Sequence, residues 1–425
     1  MAVLAACLPV ALWNPQFGVL SYVWVGLMNP HRFVYRLSTF PVALTFALAT
    51  LAAMVVRRRF GRFPVRTETV LILIWCCYTT FTTTLALNQQ EAWVGWDRLS
   101  KILLMAIVAS MLLQSRKDLN RLILVIVGSI GFFAVKGGIF SILTKGNYMV
   151  WGPPDSFIAD NNDLALAELM ILPLLLYFIR QETKGWRRLA LRIAFVLAMI
   201  GIAFSYSRGA LVAGAGLALV IAWRSRYRFR AITLGLVAMG LLVAFAPQAW
   251  MERMHTIKSY QEDQSALGRF NAWGFAWNLA NARPIGGGFR AFTPDNFTRY
   301  APDPDNYHEA HSIYFQVLGE QGYPGLIIFL GILGASLLRL QKLRKETQGQ
   351  PGLKWAFDLA EMLQCSLIAY AMAGTFLGLA YFDLYYYIII AGVLLDVVVL
   401  EERRRVVATV PEPVPAGLRP AAAPA

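Results

Sequence analysis

Residues 308–338 read HEAHSIYFQVLGEQGYPGLIIFLGILGASLL, a polar segment with two histidines that leads directly into an apolar run. From about residue 313 the run is long enough to cross a bilayer, whose hydrocarbon core takes roughly 20 helical residues. The sequence Gly-Tyr-Pro-Gly at 322–325 predicts a break in that helix. The stretch therefore indicates a membrane-spanning helix with polar groups at its mouth.

The composition extends this pattern to the whole chain of 425 residues, of which 57% are hydrophobic and 15% charged. Twelve apolar runs of about membrane-crossing length predict an all-α polytopic membrane protein with about 12 transmembrane helices. Span one could instead be a pair of short half-helices, because Pro9 and Pro15 interrupt it. The predicted spans cover approximately residues 3–28, 40–56, 70–87, 99–113, 122–143, 164–179, 189–204, 210–223, 231–247, 313–338, 359–379 and 385–400.

The spans divide the chain into four parts. Residues 1–247 hold spans one to nine, and residues 312–400 hold spans ten to twelve. Between them, 248–311 is predicted to be one large extracytoplasmic loop that carries the active site. Residues 401–425 are rich in proline and alanine after a basic start, so we expect a disordered cytoplasmic tail.

The distribution of charge predicts the orientation. The net charge of +14 does not indicate a nucleic-acid binder, because 26 of the 39 lysines and arginines lie in alternate connections and in the C-terminal tail. Positive charge on alternate connections is the pattern of cytoplasmic loops. This places both termini inside, and it places the 248–311 loop, the 144–162 connection and the SYSRG sequence at 205–209 on the outer face. The four cysteines lie in apolar segments without metal-ligand spacing, which is typical of buried thiols.

Arg208, in the SYSRG connection, is the first candidate for a functional residue. A guanidinium at the membrane boundary suits bidentate binding of a phosphate. An interfacial arginine that extends its head group toward water is the alternative, and the residues alone do not decide between the two.

The loop sequence LGRFNAWGFAWNLANARPIGGGF, residues 267–289, predicts an aromatic-rich amphipathic helix at the membrane interface. Arg269 opens this helix, and Arg283 precedes the glycines of 286–288. Backbone N–H groups around Gly287 could cradle a phosphate. A flexible turn is the other interpretation of the glycine run.

His308 and His311 lie with Glu320 near the mouth of span ten. A histidine here is suited to take a proton from a hydroxyl group, because its ordinary pKa lies near working pH. A structural histidine at a helix start and a metal site with Asp305 are alternatives, although the spacing fits no strong zinc pattern. Lys136, Asn161 and Asn162 are predicted to fall on the same face and to line the site.

The order of these motifs resembles the O-antigen ligase and O-antigen polymerase superfamily. The motifs are SYSRGA at 205–210, GRxxxW at 268–273, PIGGGF at 284–289 and AHSxxxxxxxExG at 310–322. MNPHR at 28–32, VKGG at 135–138 and WGPPDSFIADNN at 151–162 are similar, more narrowly, to exosortase-associated O-glycosylation ligases.

The resemblance implies a metal-independent, inverting glycosyltransferase without a cofactor. It would transfer a preassembled glycan from undecaprenyl diphosphate to a hydroxyl of a protein or saccharide acceptor, at the periplasmic face of a bacterial inner membrane. It implies that Arg208 and Arg269 bind the donor diphosphate and that His311 activates the acceptor. The expected partners are the lipid-linked donor, the protein or saccharide acceptor and membrane lipid, and no nucleic acid is expected.

Two alternatives remain open from the sequence. A polymerase would join lipid-linked repeat units and yield a ladder of products from the donor alone. A transporter or flippase would place polar residues deep within the spans. The spans contain few of these, among them Glu168 and Asp396, so transport is less favoured.

Overall fold

The computed structural model of the chain describes residues 2–33, 40–225, 228–255 and 264–409. Within these ranges the chain forms sixteen α-helices and no β-strand, which confirms the predicted all-α class. The helices are α1 (Ala2–Trp13), α2 (Pro15–Met28), α3 (Val42–Val56), α4 (Thr67–Thr84), α5 (Gln89–Leu112), α6 (Arg116–Leu143), α7 (Asn161–Gln181), α8 (Gly185–Ala203), α9 (Arg208–Arg224), α10 (Arg228–Phe245), α11 (Gln248–His255), α12 (Gln264–Ala282), α13 (Pro294–Tyr300), α14 (Ile313–Thr347), α15 (Lys354–Ala373) and α16 (Asp383–Thr409).

Each predicted span falls on a helix, except that the first falls on two. Asn14 separates α1 from α2, because its side-chain oxygen accepts from the N–H groups of Gln16 and Phe17 and so caps the second helix. Span one is therefore the pair of short helices. By length and composition, four of the described helices can cross a membrane: α6, α7, α14 and the Asp383–Arg405 part of α16. The count of twelve crossings stays a prediction.

The core of the bundle lies around α16. The side chains from Tyr385 to Ile390 are almost completely buried all round the helix, as expected for a central helix. This helix packs against α5, α6, α14 and α15. Trp75 on α4 donates its indole N–H to the Tyr386 hydroxyl at 3.1 Å, which satisfies a polar group that water does not reach.

The connections predicted to lie on one face do meet at one end of the bundle, which we call the site end. The Tyr206 hydroxyl donates to Gly146 O at 2.8 Å, which joins the SYSRG turn to the 144–162 connection. Basic connections meet at the opposite end, where Arg403 of the tail pairs with Glu346 of the 339–354 connection at 3.1 Å. Which end faces outward stays a prediction.

The 248–311 segment contains α11, α12 and α13 rather than irregular loop, although residues 256–263 lie outside the described part. It has a small apolar core of its own, in which Phe275 stacks on Phe297 with ring centroids 4.4 Å apart. The predicted aromatic helix is α12. Its aromatic residues face two ways: Phe275 is buried, whereas Phe270 and Trp277 are about half exposed. Burial of the inner face fixes α12 against the rest of the segment.

The predicted break within span ten occurs inside α14, at Gly322, whose φ of 65° lies in the left-handed region that glycine tolerates. A β-carbon at this residue would lie only 1.9 Å from Pro284 O. Carbonyls beside the break accept from groups outside the helix: Gly319 O from Gly287 N at 2.9 Å, Glu320 O from Gly288 N at 2.8 Å and Gln321 O from the Tyr78 hydroxyl at 2.7 Å.

The C-terminal tail differs from the expectation. The last helix continues to Thr409, so the prediction of disorder from residue 401 is wrong for 401–409. Arg403 explains the continuation, because it pairs with Glu346 at 3.1 Å and also donates to the Glu346 carbonyl at 2.9 Å. Residues 410–425 lie outside the described part.

A partly buried charge network joins three helices at the end opposite the site. Arg339 on α14 pairs with Glu68 of α4 at 2.6 Å and with Asp396 of α16 at 3.1 Å. Asp396 also accepts from Arg66 Nε at 2.6 Å. Glu68 is 1% exposed, so its carboxylate depends on Arg339 for its counter-charge.

Replacing Arg339 by alanine should therefore destabilise the fold, because it leaves the Glu68 charge buried without a cation. We expect a loss of about 3 kcal/mol or more, seen as a lower melting temperature in detergent. Lys342→Ala, on the same helix but in an exposed pair, serves as the control and should change stability by less than about 0.5 kcal/mol. Equal melting temperatures for the two variants would contradict this role of Arg339.

Candidate active site

The SYSRG turn holds Arg208 in a defined place. Ser207 caps α9 by accepting from Ala210 N at 3.2 Å, so Arg208 is the first residue of that helix. Tyr206 has a left-handed backbone with φ of 61° and is buried. The turn is therefore fixed from within, and its half-buried arginine starts at a helix N-terminus, where anions are favoured.

Asn161 ties this turn to α7. Its side-chain amide donates to Ser205 O at 2.6 Å, and the residue is 6% exposed. Asn161 therefore supports the SYSRG turn rather than lining open space. Asn162 donates its amide to Asp160, which also accepts from Asn162 N and caps α7. Both asparagines lie at the site end as predicted, in structural hydrogen bonds.

The GRxxxW sequence and the AHS sequence are joined directly. The indole N–H of Trp273 donates to Ala310 O at 2.8 Å, and its ring stacks on Phe315 at 4.8 Å between centroids. His311, which follows Ala310, has a left-handed backbone with φ of 41°. Arg269 lies one helical turn before Trp273, on the same side of α12. This places Arg269 toward His311.

The electrostatics show which charges surround His311. Loss of hydration lowers the pKa of the half-buried imidazole below its ordinary value of 6.5, and the positive charge of Arg269 lowers it further. Glu309 and Asp160 act in the opposite direction, and His308 adds to the lowering. His311 is thus held neutral near pH 7, within electrostatic range of a guanidinium and of two carboxylates.

His308 has a packing role. A β-carbon at Gly268 would lie 2.1 Å from its Cδ2 atom, so the ring is seated where only glycine leaves room. Among the described residues, no group of three or more His, Cys, Asp and Glu side chains is placed to hold a metal ion. The alternative of a metal site at His308, His311 and Asp305 therefore finds no support in the described geometry.

The segment 374–382, between α15 and α16, was not identified from the sequence, yet it touches both halves of the site. Gly378 lies against His311, because a β-carbon there would be 3.7 Å from the histidine N and Cα atoms. Phe376 packs on Gly209, beside Arg208. A β-carbon at Gly209 would lie 2.9 Å from the Cβ atom of Phe376. Through these two contacts, the 374–382 segment connects the Arg208 turn with His311 at one end of the molecule.

Two further predicted residues have structural contacts instead of free donors. Arg283 donates to Leu85 O at 2.7 Å and to its own turn at Gly286 O. The N–H groups of the glycine run, including that of Gly287, are bonded to carbonyls. The glycine run therefore docks onto α14, and interpreting it as a phosphate cradle is wrong.

Lys136 and Glu320 are the remaining two candidates. Lys136 is exposed on α6, and its role stays a prediction. Glu320 is 4% exposed, and both its carboxylate oxygens accept hydrogen bonds from protein groups. It supports the region from within and does not line open space.

Comparison with known proteins finds two family matches along the chain. Residues 1–183 match the model of a family of unknown function (DUF5935), and residues 193–330 match the model described as O-Antigen ligase. No curated protein matches the chain. Arg208, Arg269 and His311 all lie within the second match. Over residues 193–330, this chain is therefore similar to the O-antigen ligase family.

Proposed function

We propose that this membrane protein is a glycosyltransferase that moves a preassembled glycan from undecaprenyl diphosphate to a hydroxyl of a protein or saccharide acceptor. The reaction takes place at the site end of the bundle, which we place at the periplasmic face of the bacterial inner membrane. The observation that carries the proposal is the neutral, half-buried imidazole of His311 beside Arg269, joined through the 374–382 segment to the turn of Arg208.

The proposed reaction is a single displacement. The acceptor oxygen forms a bond to the anomeric carbon while the bond from that carbon to the diphosphate oxygen breaks. His311 takes the proton of the acceptor hydroxyl, and the lipid diphosphate leaves with the bonding electrons. Attack from the side opposite the leaving group inverts the anomeric centre. A positioned base of this kind contributes about 10²–10⁴-fold to a rate.

The arginines stabilise the negative charge of the leaving diphosphate. A diphosphate is already a good leaving group, so charge stabilisation is needed rather than an acid. Arg208 and Arg269 are proposed to bind the diphosphate, where their fork geometry suits bidentate contacts. Each fixed donor aimed at developing charge is worth about 10²–10³-fold. The two cations can perform this function without a metal ion.

The resemblance of two motifs places the chain with the exosortase-associated ligases in this proposal, and these two motifs are in contact. Arg32, from MNPHR, pairs with Asp155, from WGPPDSFIADNN, at 3.2 Å and donates to its carbonyl at the same distance. Phe157 of the second motif lies under the Arg98 guanidinium, 3.3 Å from the ring centroid. The MNPHR and WGPPDSFIADNN motifs thus form one unit at the site end.

The test of the function is transfer by the purified protein in proteoliposomes that contain a lipid-linked glycan and a hydroxyl-bearing acceptor, with a chelator present. We expect a covalent glycan–acceptor product and free lipid diphosphate. A ladder of extended glycans from the donor alone would instead show a polymerase. Glycan movement across the membrane without a covalent product would show a transporter.

Substitutions at the proposed base and anion ligand should slow transfer strongly without affecting folding. His311→Ala should lower the rate by at least about 10²-fold, and Arg208→Ala by about 10²–10³-fold. His308→Ala should cost less, because that ring packs on Gly268. Arg290→Ala is the arginine control, since its guanidinium is in an exposed pair with Glu91. Normal transfer by the first two variants would disprove the assignment.

The pH profile should report the state of His311. Only its neutral form accepts a proton, and its pKa lies below 6.5, so the rate should hold near pH 7 and fall only below 6.5. Glu309→Gln removes a charge that raises this pKa, and should therefore shift the acid limb to lower pH. Asp305→Asn, in the same exposed segment, is the matched control. An acid limb above pH 6.5 would rule out this base.

A further inference from the structure

Glu320 is a buried carboxylate that the proposed reaction does not use. It lies nine residues beyond His311, within the first part of α14, and is 4% exposed. Its Oε2 atom accepts from the Tyr381 hydroxyl at 2.5 Å, and its Oε1 atom accepts from Arg290 N at 2.9 Å. Loss of hydration raises the pKa of Tyr381 well above its ordinary value, so this hydroxyl keeps its proton and donates.

The two donors belong to different parts of the site end. Tyr381 is in the 374–382 segment, which touches His311 through Gly378 and the Arg208 turn through Phe376. Arg290 follows the glycine run that docks on the break of α14. The Glu320 carboxylate therefore joins α14, the 374–382 segment and the residues after the glycine run. It does so next to the break at Gly322, where the backbone hydrogen bonds of α14 are interrupted.

The same segment is bonded along the first turns of α14. Ile313 N donates to Gly374 O at 2.8 Å, next to His311. Ala380 N donates to the Gln316 side-chain oxygen at 3.3 Å. The Glu320–Tyr381 bond, at 2.5 Å, is the third and the shortest of these ties. Without it, the far end of the segment would keep the long bond from Ala380 N to α14, and Tyr370 of α15 would still donate to Leu379 O at 2.9 Å.

We propose that Glu320 is a positioning residue: through Tyr381 it holds the 374–382 segment against α14 and so sets His311 relative to the Arg208 turn. This inference rests on the proposed function for its effect on catalysis. Glu320 acts as a hydrogen-bond acceptor and exchanges no proton with the substrate, since both oxygens are occupied and the side chain is shielded from solvent.

A comparison of Glu320→Ala with Glu320→Gln tests the proposal. Alanine removes both bonds, and we expect kcat to fall about 10- to 100-fold, the effect of a misplacement of about 1 Å. Glutamine keeps an acceptor for Arg290 N and a polar partner for Tyr381, and should stay within about threefold of the wild type. The acid limb set by His311 should not move in either variant.

Tyr381→Phe provides a milder change, since it deletes one oxygen atom and should lower kcat in the same direction. Tyr177→Phe is the matched control: it also deletes a hydroxyl on a buried tyrosine, one that donates to Asn120 at 3.3 Å near the opposite end. A glutamine variant as inactive as the alanine variant would overturn the proposal, because it would show that the carboxylate itself is needed. Full activity of Glu320→Ala would overturn it too.

Hydrogen–deuterium exchange separates this proposal from the assigned function. In Glu320→Ala, the amides of 374–382 and of 311–316 should exchange faster than in the wild type, whether or not transfer is detected. Unchanged exchange in both regions would overturn the positioning role. A wild-type protein that shows no transfer but loses protection on substitution would disprove the function alone.

Discussion

The interrupted backbone of α14 is the constraint on which the site end depends. At Gly322 the helix cannot continue, and carbonyls that would accept within the helix need other donors. A bilayer offers none, so protein groups must supply them. The glycine run supplies two backbone N–H groups and Tyr78 a hydroxyl. The break thereby recruits the 284–288 turn and fixes the part of α14 that begins beside His311.

Much of this arrangement could be predicted because the signals are local. Apolar runs of the required length indicate helices, and glycine with proline at 322–325 marks the break. The predicted grouping of Arg269 and His311 followed from the order of motifs, and the structure places the two within electrostatic range. Each of these inferences needs only neighbouring residues or a known pattern. Contacts between distant segments carry no such signal.

The features that the sequence did not predict are all contacts between segments that are far apart in the chain. Predicted span eleven ends at residue 379, inside the 374–382 segment, and no sequence pattern indicates that Phe376 contacts Gly209 or that Gly378 contacts His311. From the sequence alone, membrane orientation is a sufficient explanation for the basic connections. Arg339 shows the limit of that explanation, because it also neutralises a buried carboxylate on another helix. Composition indicates which side a charge lies on but does not identify its partner.

The left-handed backbone of His311 has a consequence for how such a protein evolves. For a residue with a β-carbon, this left-handed conformation costs about 1–2 kcal/mol of conformational free energy, a cost that glycine would avoid. Selection for thermal robustness alone would therefore replace the imidazole, and selection for turnover would restore it. Catalytic activity and thermal stability therefore place opposite demands on His311. The surrounding hydrogen bonds must offset the strain of its left-handed backbone.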